Sequence, residues 1–87
     1  MITFKQLEAI YWIANLGSFA AAADKLCTSQ SAVSKRVQEL EAQFQIEVFD
    51  RSRRTARLTD KGNEILSFAK KLLSDRDQMI ERASSNE

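Results

Sequence analysis

Residues 16–41, LGSFAAAADKLCTSQSAVSKRVQELE, carry the pattern on which the whole reading turns. Gly17 suits the left-handed residue that ends a preceding helix. Ser18 is an N-cap candidate, and the Ala-rich segment Phe19 to Leu26 behind it is strongly helix-forming. Phe19, Ala22, Ala23 and Leu26 fall on one face, and Cys27 and Thr28 then break the period. Ser29 is the next N-cap candidate. After it Val33, Val37, Leu40 and Phe44 recur at i, i+4, i+7 and i+11 as an apolar stripe. The opposite face presents Gln30, Ser31, Ser34, Lys35 and Gln38. Two short helices across a tight turn are the skeleton of a helix-turn-helix, with Ala23 small where the two must cross closely.

A helix that reads DNA needs one half buried for rigidity and the other half offering hydrogen-bonding side chains to base edges. Helix 29–44 has that division. Gln pairs with an adenine edge and Lys or Arg with a guanine edge, and the helix N-terminus suits a phosphate. Taken alone, the same polar face is also what a solvated surface looks like. Gln38, two turns in, stays evenly open between the two.

Outward from this core, Thr3 and Gln6 form a Thr-x-x-Gln capping box for a first helix whose apolar positions are Phe4, Leu7, Ile10, Tyr11 and Ala14. Tyr11 and Trp12 are expected in the core or an interface. Downstream, Ile46, Val48 and Phe49, then Ala56 and Leu58, flank the polar run Asp50 to Thr55, which predicts two short strands joined by a charged turn. Thr59 caps a last helix with Asp60 in its first turn. Its apolar seam (Ile65, Leu66, Ala69, Leu72, Leu73, Met79, Ile80, Ala83) runs at roughly heptad spacing over about 24 residues, roughly 36 Å. One small domain cannot cover that length, so Leu66, Ala69, Leu72, Leu73, Met79 and Ile80 are expected to meet a second copy. The expected division is 1–58 for the DNA-binding head and 59–87 for the linker and dimerisation helix.

The chain has 87 residues, enough for one small core, with no Pro and only two Gly, which favours long helices over a many-turned β protein. The formal net charge is +1, so any nucleic-acid binding must come from local charge. Between Arg51 and Lys61 lie Arg51, Arg53, Arg54, Arg57 and Lys61 against the single acid Asp60. Arginines at a hairpin tip beside a reading helix can follow the phosphate backbone or enter a minor groove. Arg51 has an equal alternative as the structural partner of a nearby acid such as Glu47, and Arg57 is expected to be solvated or to touch phosphate. Glu41 is expected to make an ion pair or hydrogen bond. Cys27 is the lone cysteine and is expected to be a small buried turn residue rather than a redox switch. There is no His, which removes His-based catalysis and Cys/His zinc sites. No metal, cofactor or enzymatic activity is expected, and no apolar run is long enough to span a membrane.

In two segments, 16–41 and 48–62, the chain resembles the N-terminal domain of LysR-type transcriptional regulators. The segment 16–41 is similar to that family's Gly-Ser-Phe-x-x-Ala-Ala-x-x-Leu-x-x-Ser-Gln-x-Ala-x-Ser-x-x-Ile-x-x-Leu-Glu signature. The segment 48–62, VFDRSRRTARLTDKG, resembles its Leu-Phe-x-Arg…Leu-Thr-x-x-Gly stretch. The resemblance implies a mainly α fold with a small β-hairpin: a winged helix-turn-helix plus a long C-terminal dimerisation helix. It implies a cytoplasmic, nucleoid-associated homodimer, with a tetramer open in the full-length protein, that binds an interrupted inverted repeat in double-stranded promoter DNA. A small-molecule effector would act only through a C-terminal domain absent from this chain. It puts Gln30, Ser34 and Lys35 in the major groove, and Arg51 and Arg54 on the wing around 50–57. Ser29, Ser31, Gln38, Arg53 and Lys61 complete the expected DNA-binding set. Four positions depart from the family pattern: Ser31 for Pro, Ala20 and Ala21 for polar residues that often face phosphate, Arg53 for Gly, and Lys61 for Ala. Two other functions compete. A protein-interaction module would be indifferent to DNA, and a nucleic-acid enzyme would need a ligand cluster that the sequence lacks.

Overall fold

The computed structural model describes residues 1–52 and 55–85. Four helices and one hairpin follow in chain order: α1 Phe4–Leu16, α2 Phe19–Lys25, α3 Gln30–Phe44, β1 Phe49–Asp50, β2 Arg57–Leu58 and α4 Asp60–Ala83. This is the mainly helical, winged helix-turn-helix architecture with a long last helix that the sequence leads one to expect.

Each helix starts on a side chain that captures an amide the helix leaves unpaired. Thr3 Oγ1 accepts from the Gln6 amide at 3.1 Å while Gln6 Oε1 accepts from the Thr3 amide at 3.1 Å, closing the capping box. Ser18, Ser29 and Thr59 cap α2, α3 and α4 in the same way, at 3.0, 3.1 and 2.9 Å. Gly17 ends α1 in the left-handed region at φ 86°, its amide donating to the Ile13 carbonyl at 2.8 Å.

The core is built from one stripe of each helix: Leu7, Ile10 and Ile13 of α1, Ala22 and Ala23 of α2, and Val33, Val37 and Leu40 of α3. Val48 and Phe49 plug its hairpin side, and Ala69 and Leu73 of α4 close it against α1. Ala22 and Ala23 are buried because only a methyl fits where α2 crosses its neighbours. Phe44, the expected fourth member of the α3 stripe, is 45% exposed instead. It sits in the last turn, where the chain already leaves the helix through left-handed Gln45.

Two further expectations change. Cys27 is exposed, not buried. It closes the α2–α3 turn in the left-handed region at φ 55°, its amide turned back to the Asp24 carbonyl at 3.2 Å and the following Thr28 amide to the Ala23 carbonyl at 3.0 Å, so backbone bonds hold the turn. The strands are also shorter than the apolar pattern suggests. Among the described residues only Phe49↔Leu58 and Asp50↔Arg57 pair, antiparallel. The bond from the Thr59 amide to the Val48 carbonyl at 3.0 Å is the outermost rung, and Ile46 to Val48 do not carry the ladder further because the Val48 amide donates to Glu41 Oε2 at 2.8 Å instead of across the hairpin.

α4 begins in tight contact with this segment. Thr59 Oγ1 donates to the Glu47 carbonyl oxygen and accepts from the Gly62 amide. Gly62 is buried against the Val48 carbonyl, where a Cβ would overlap the oxygen. From there α4 runs past the core: after Leu73 none of its residues is buried, and the molecule is 51 Å long against 25 and 20 Å across.

Candidate nucleic-acid interface

The outer face of α3 collects the predicted readers. Gln30, Ser31, Lys35 and Gln38 are exposed and Ser34 is half-buried, on the side of α3 opposite Val33, Val37 and Leu40. These positions differ by one, three or four residues, so they share a strip about two turns long. No acid stands in the first turn of α3, and no basic residue in its last. Exposed Ser29 spends its hydroxyl on the Ala32 amide and lies 3.2 Å from the Ser31 hydroxyl. Ser31 therefore adds a second hydroxyl at the mouth of the helix. On α2, Ala20 is exposed and Ala21 half-buried, so that flank offers methyl groups.

The hairpin root is fixed by hydrogen bonds of its own. Asp50 Oδ1 accepts from the Ser52 amide at 3.0 Å and from the Ser52 hydroxyl at 2.6 Å, a side-chain turn that starts the wing. Arg51 is paired with Glu41 at 2.8 Å, not with Glu47. Glu41 also accepts from the amides of Val48 at 2.8 Å and Phe49 at 3.4 Å, in keeping with the structural role expected for it. The Arg51 guanidinium lies 5.4 Å from the centre of the Phe19 ring, which itself meets Phe49 edge-on at 5.5 Å. Phe19 as a platform for Arg51 has no signature in the sequence, where it reads only as an apolar position of α2. Arg53 and Arg54 lie outside the described residues. Arg57 is exposed, and exposed Lys61 sits 3.3 Å from Glu64 across one turn of α4.

The seam of α4 divides in two. Ala69 and Leu73 are buried, at 0% and 8% exposure, in the chain's own core, and Leu66 is half-buried against it. Their packing against α1 removes Ala69 and Leu73 from the surface expected to meet a second copy. Leu72, Met79 and Ile80 are exposed, joined by Phe68 at 66%. Phe68 precedes Leu72 by four residues and Met79 by eleven, the same spacing that marks the rest of the seam. Between α4 and α1, Arg76 is half-buried, 3.6 Å from Glu8 and 5.3 Å from the Phe4 ring centre. Its hydrogen bond to Asp77 holds the guanidinium still more firmly protonated than usual. Tyr11 and Trp12 of α1 are half-buried and meet edge-on at 4.9 Å, with the Lys25 ammonium 4.6 Å from the Trp12 ring centre. Among the described residues no group of three potential metal ligands comes together, and no helix is long and apolar enough to cross a membrane.

Comparison with known proteins gives a consistent set. Residues 4–63 match the family model described as bacterial regulatory helix-turn-helix protein, lysR family. A "Probable RuBisCO transcriptional regulator" of Nostoc sp. is 49% identical over 72 residues, covering 83% of this chain and 21% of the relative. An uncharacterised HTH-type transcriptional regulator of Azotobacter vinelandii is 44% identical over 68 residues, covering 78% of this chain and 47% of the relative. Among solved structures, a complex of the BenM DBD with catB site 1 DNA superposes with a TM-score of 0.89 at 32% identity, covering 98% of this chain and 99% of that one. A full-length OxyR variant from Pseudomonas aeruginosa superposes with a TM-score of 0.94 at 30% identity, covering all of this chain and 30% of that one. The chain thus spans about a fifth of the length of the Nostoc relative.

Proposed function

The chain belongs to the lysR family of bacterial regulatory helix-turn-helix proteins, as a DNA-binding domain of a transcriptional regulator, and from that premise we propose that it reads a specific double-stranded sequence as a homodimer. α3 lies in the major groove with Gln30, Ser31, Ser34 and Lys35 toward base edges and Gln38 at the rim. Ser29 and Lys61 meet phosphate. Arg53 and Arg54 carry the wing to the backbone or minor groove of a promoter site built as an interrupted inverted repeat. Residues 1–58 act as the reading head and 59–87 as the linker. Effector sensing belongs to the part of the relatives that this chain does not cover, and the working compartment is the cytoplasm.

The observation that carries this reading is the split of α3: Val33, Val37 and Leu40 are at most 1% exposed, while Gln30, Ser31, Lys35 and Gln38 on the other side are open. A helix locked on one side and polar on the other holds its side chains ready for a groove without ordering them on contact. The solved complexes of the BenM DBD with catB and benA site 1 DNA, at TM-scores of 0.89 and 0.88, support DNA binding by a domain of this fold. Self-association is supported by the exposed row Phe68, Leu72, Met79 and Ile80 on a helix that outruns its own core.

Selection of bound duplexes from a randomised pool tests the reading directly. It should return two related half-sites in inverted orientation. Binding to the recovered duplex no tighter than to a scrambled one at moderate salt would refute sequence-specific recognition by this chain.

A further inference from the structure

We propose that Arg51 is a positioning residue, which through Glu41 and Phe19 holds the root of the wing in one place against the reading helix and does not itself touch DNA. This rests on the DNA-reading function above and adds a division of labour among the basic residues of the hairpin.

The geometry is a three-way clamp. Glu41 stands on α3, the helix that carries the readers, and its side chain is 13% exposed. One carboxylate oxygen accepts from the Val48 and Phe49 amides at 2.8 and 3.4 Å, and the other accepts from Arg51 Nη2 at 2.8 Å. Arg51 follows β1 directly, and its guanidinium faces the Phe19 ring of α2. One arginine therefore ties the hairpin to both helices of the helix-turn-helix.

Charge-assisted bonds of this kind are short and directional, and a mostly buried carboxylate is costly to leave half satisfied. Arg51 cannot swing to a phosphate without uncovering Glu41. Fixing Arg51 also limits where the two arginines that follow it at 53 and 54 can reach. Those two, with Lys61, are left to carry the phosphate charge, while Arg51 sets the offset between wing and α3 that one duplex has to satisfy.

Counterion release separates the roles. A residue that neutralises a phosphate contributes about 0.9 to the slope of log affinity against log salt, and a residue that only positions others changes the slope no more than the loss of its partner does. Binding of the chain and of its Arg51→Met, Arg51→Lys, Glu41→Gln and doubly substituted Glu41→Gln/Arg51→Met variants is measured on a duplex recovered by selection, over a salt series. Arg51→Met and Glu41→Gln should each weaken binding roughly three- to tenfold and share one slope, with the double variant no weaker than the weaker-binding single. Arg51→Lys, which keeps a cation for Glu41, should recover part of the loss. A slope shallower by about one for Arg51→Met than for Glu41→Gln, binding equal to the unsubstituted chain, or additive losses would each overturn the proposal. Amide hydrogen exchange at Val48 and Phe49 supplies an arm without DNA. It should quicken in Arg51→Met, and unchanged exchange would overturn the clamp. A chain indifferent to DNA sequence would refute the proposed function, and the exchange result would still decide whether Arg51 holds the hairpin.

Discussion

Gly62 is where the start of α4 presses on the segment leading into the hairpin, and replacing it with Ala should destabilise the fold although Ala is the better helix former. A Cβ at this position would overlap the Val48 carbonyl oxygen and lie 2.9 Å from its carbon and 3.0 Å from Leu58 Cδ2. Val48 cannot retreat, because it is fully buried, its amide is held by Glu41 and its carbonyl by the Thr59 amide. The start of α4 has to move outward instead, which strains the cap that Thr59 places on the Gly62 amide. Overpacking of this kind costs about 1–3 kcal/mol. A weakened cap adds about 1 kcal/mol. Helix propensity offsets about 1 kcal/mol of that total. The expected net loss is about 1–3 kcal/mol, each kcal/mol lowering the melting temperature by about 4–8 °C in a domain this small. Thermal and urea melts of the 87-residue chain read it out. Gly17→Ala is the control: it has open space around it but stands at φ 86°, so its loss of about 1–2 kcal/mol comes from backbone conformation alone. A Gly62→Ala chain that melts higher than the parent, as helix propensity alone would dictate, would refute the close approach.

Gln30→Ala should weaken binding to the selected duplex by about 1–3 kcal/mol and relax the preference at one base position, which a titration against single-base variants of the site would show. Leu40→Ala removes a side chain 1% exposed at the centre of the core and should cost about 2–5 kcal/mol in a urea melt; a loss below 1 kcal/mol would mean that the site collapses around the gap. Met79→Asp with Ile80→Asp places two charges on the exposed part of the α4 seam and should turn a dimer into a monomer by sedimentation, with a melting temperature that no longer rises with protein concentration.

The caps are legible in the sequence because each needs only a partner three residues away. Thr3, Ser18, Ser29 and Thr59 bond where a local rule puts them, and Gly17 takes the left-handed turn. The buried stripe of α3 is legible for the same reason, since helical period alone places Val33, Val37 and Leu40 together. What escapes the sequence depends on how the chain folds back. Glu41 and Arg51 are ten residues apart and meet only because Gln45 reverses direction between them. The Val48 amide goes to that same carboxylate, so a stretch with strand-like apolar spacing forms almost no strand. Periodicity likewise marks the α4 seam but not which side the core claims. Ala69 and Leu73 go inward, and Phe68 is left outside.

The overhang of α4 turns the helix into a ruler. It packs on the core as far as Leu73, Arg76 still reaches Glu8 of α1, and the exposed residues beyond continue the same unbroken helix. In a pair joined along that projection, the point of crossing sets the distance between the two α3 helices. Sliding the crossing by one helical turn shifts a head by about 5.4 Å. That is roughly one and a half base pairs along the duplex axis at about 3.4 Å per pair. In such a pair the spacing between half-sites would be written in the seam of α4, and substitutions there would change which repeats fit without altering any base contact.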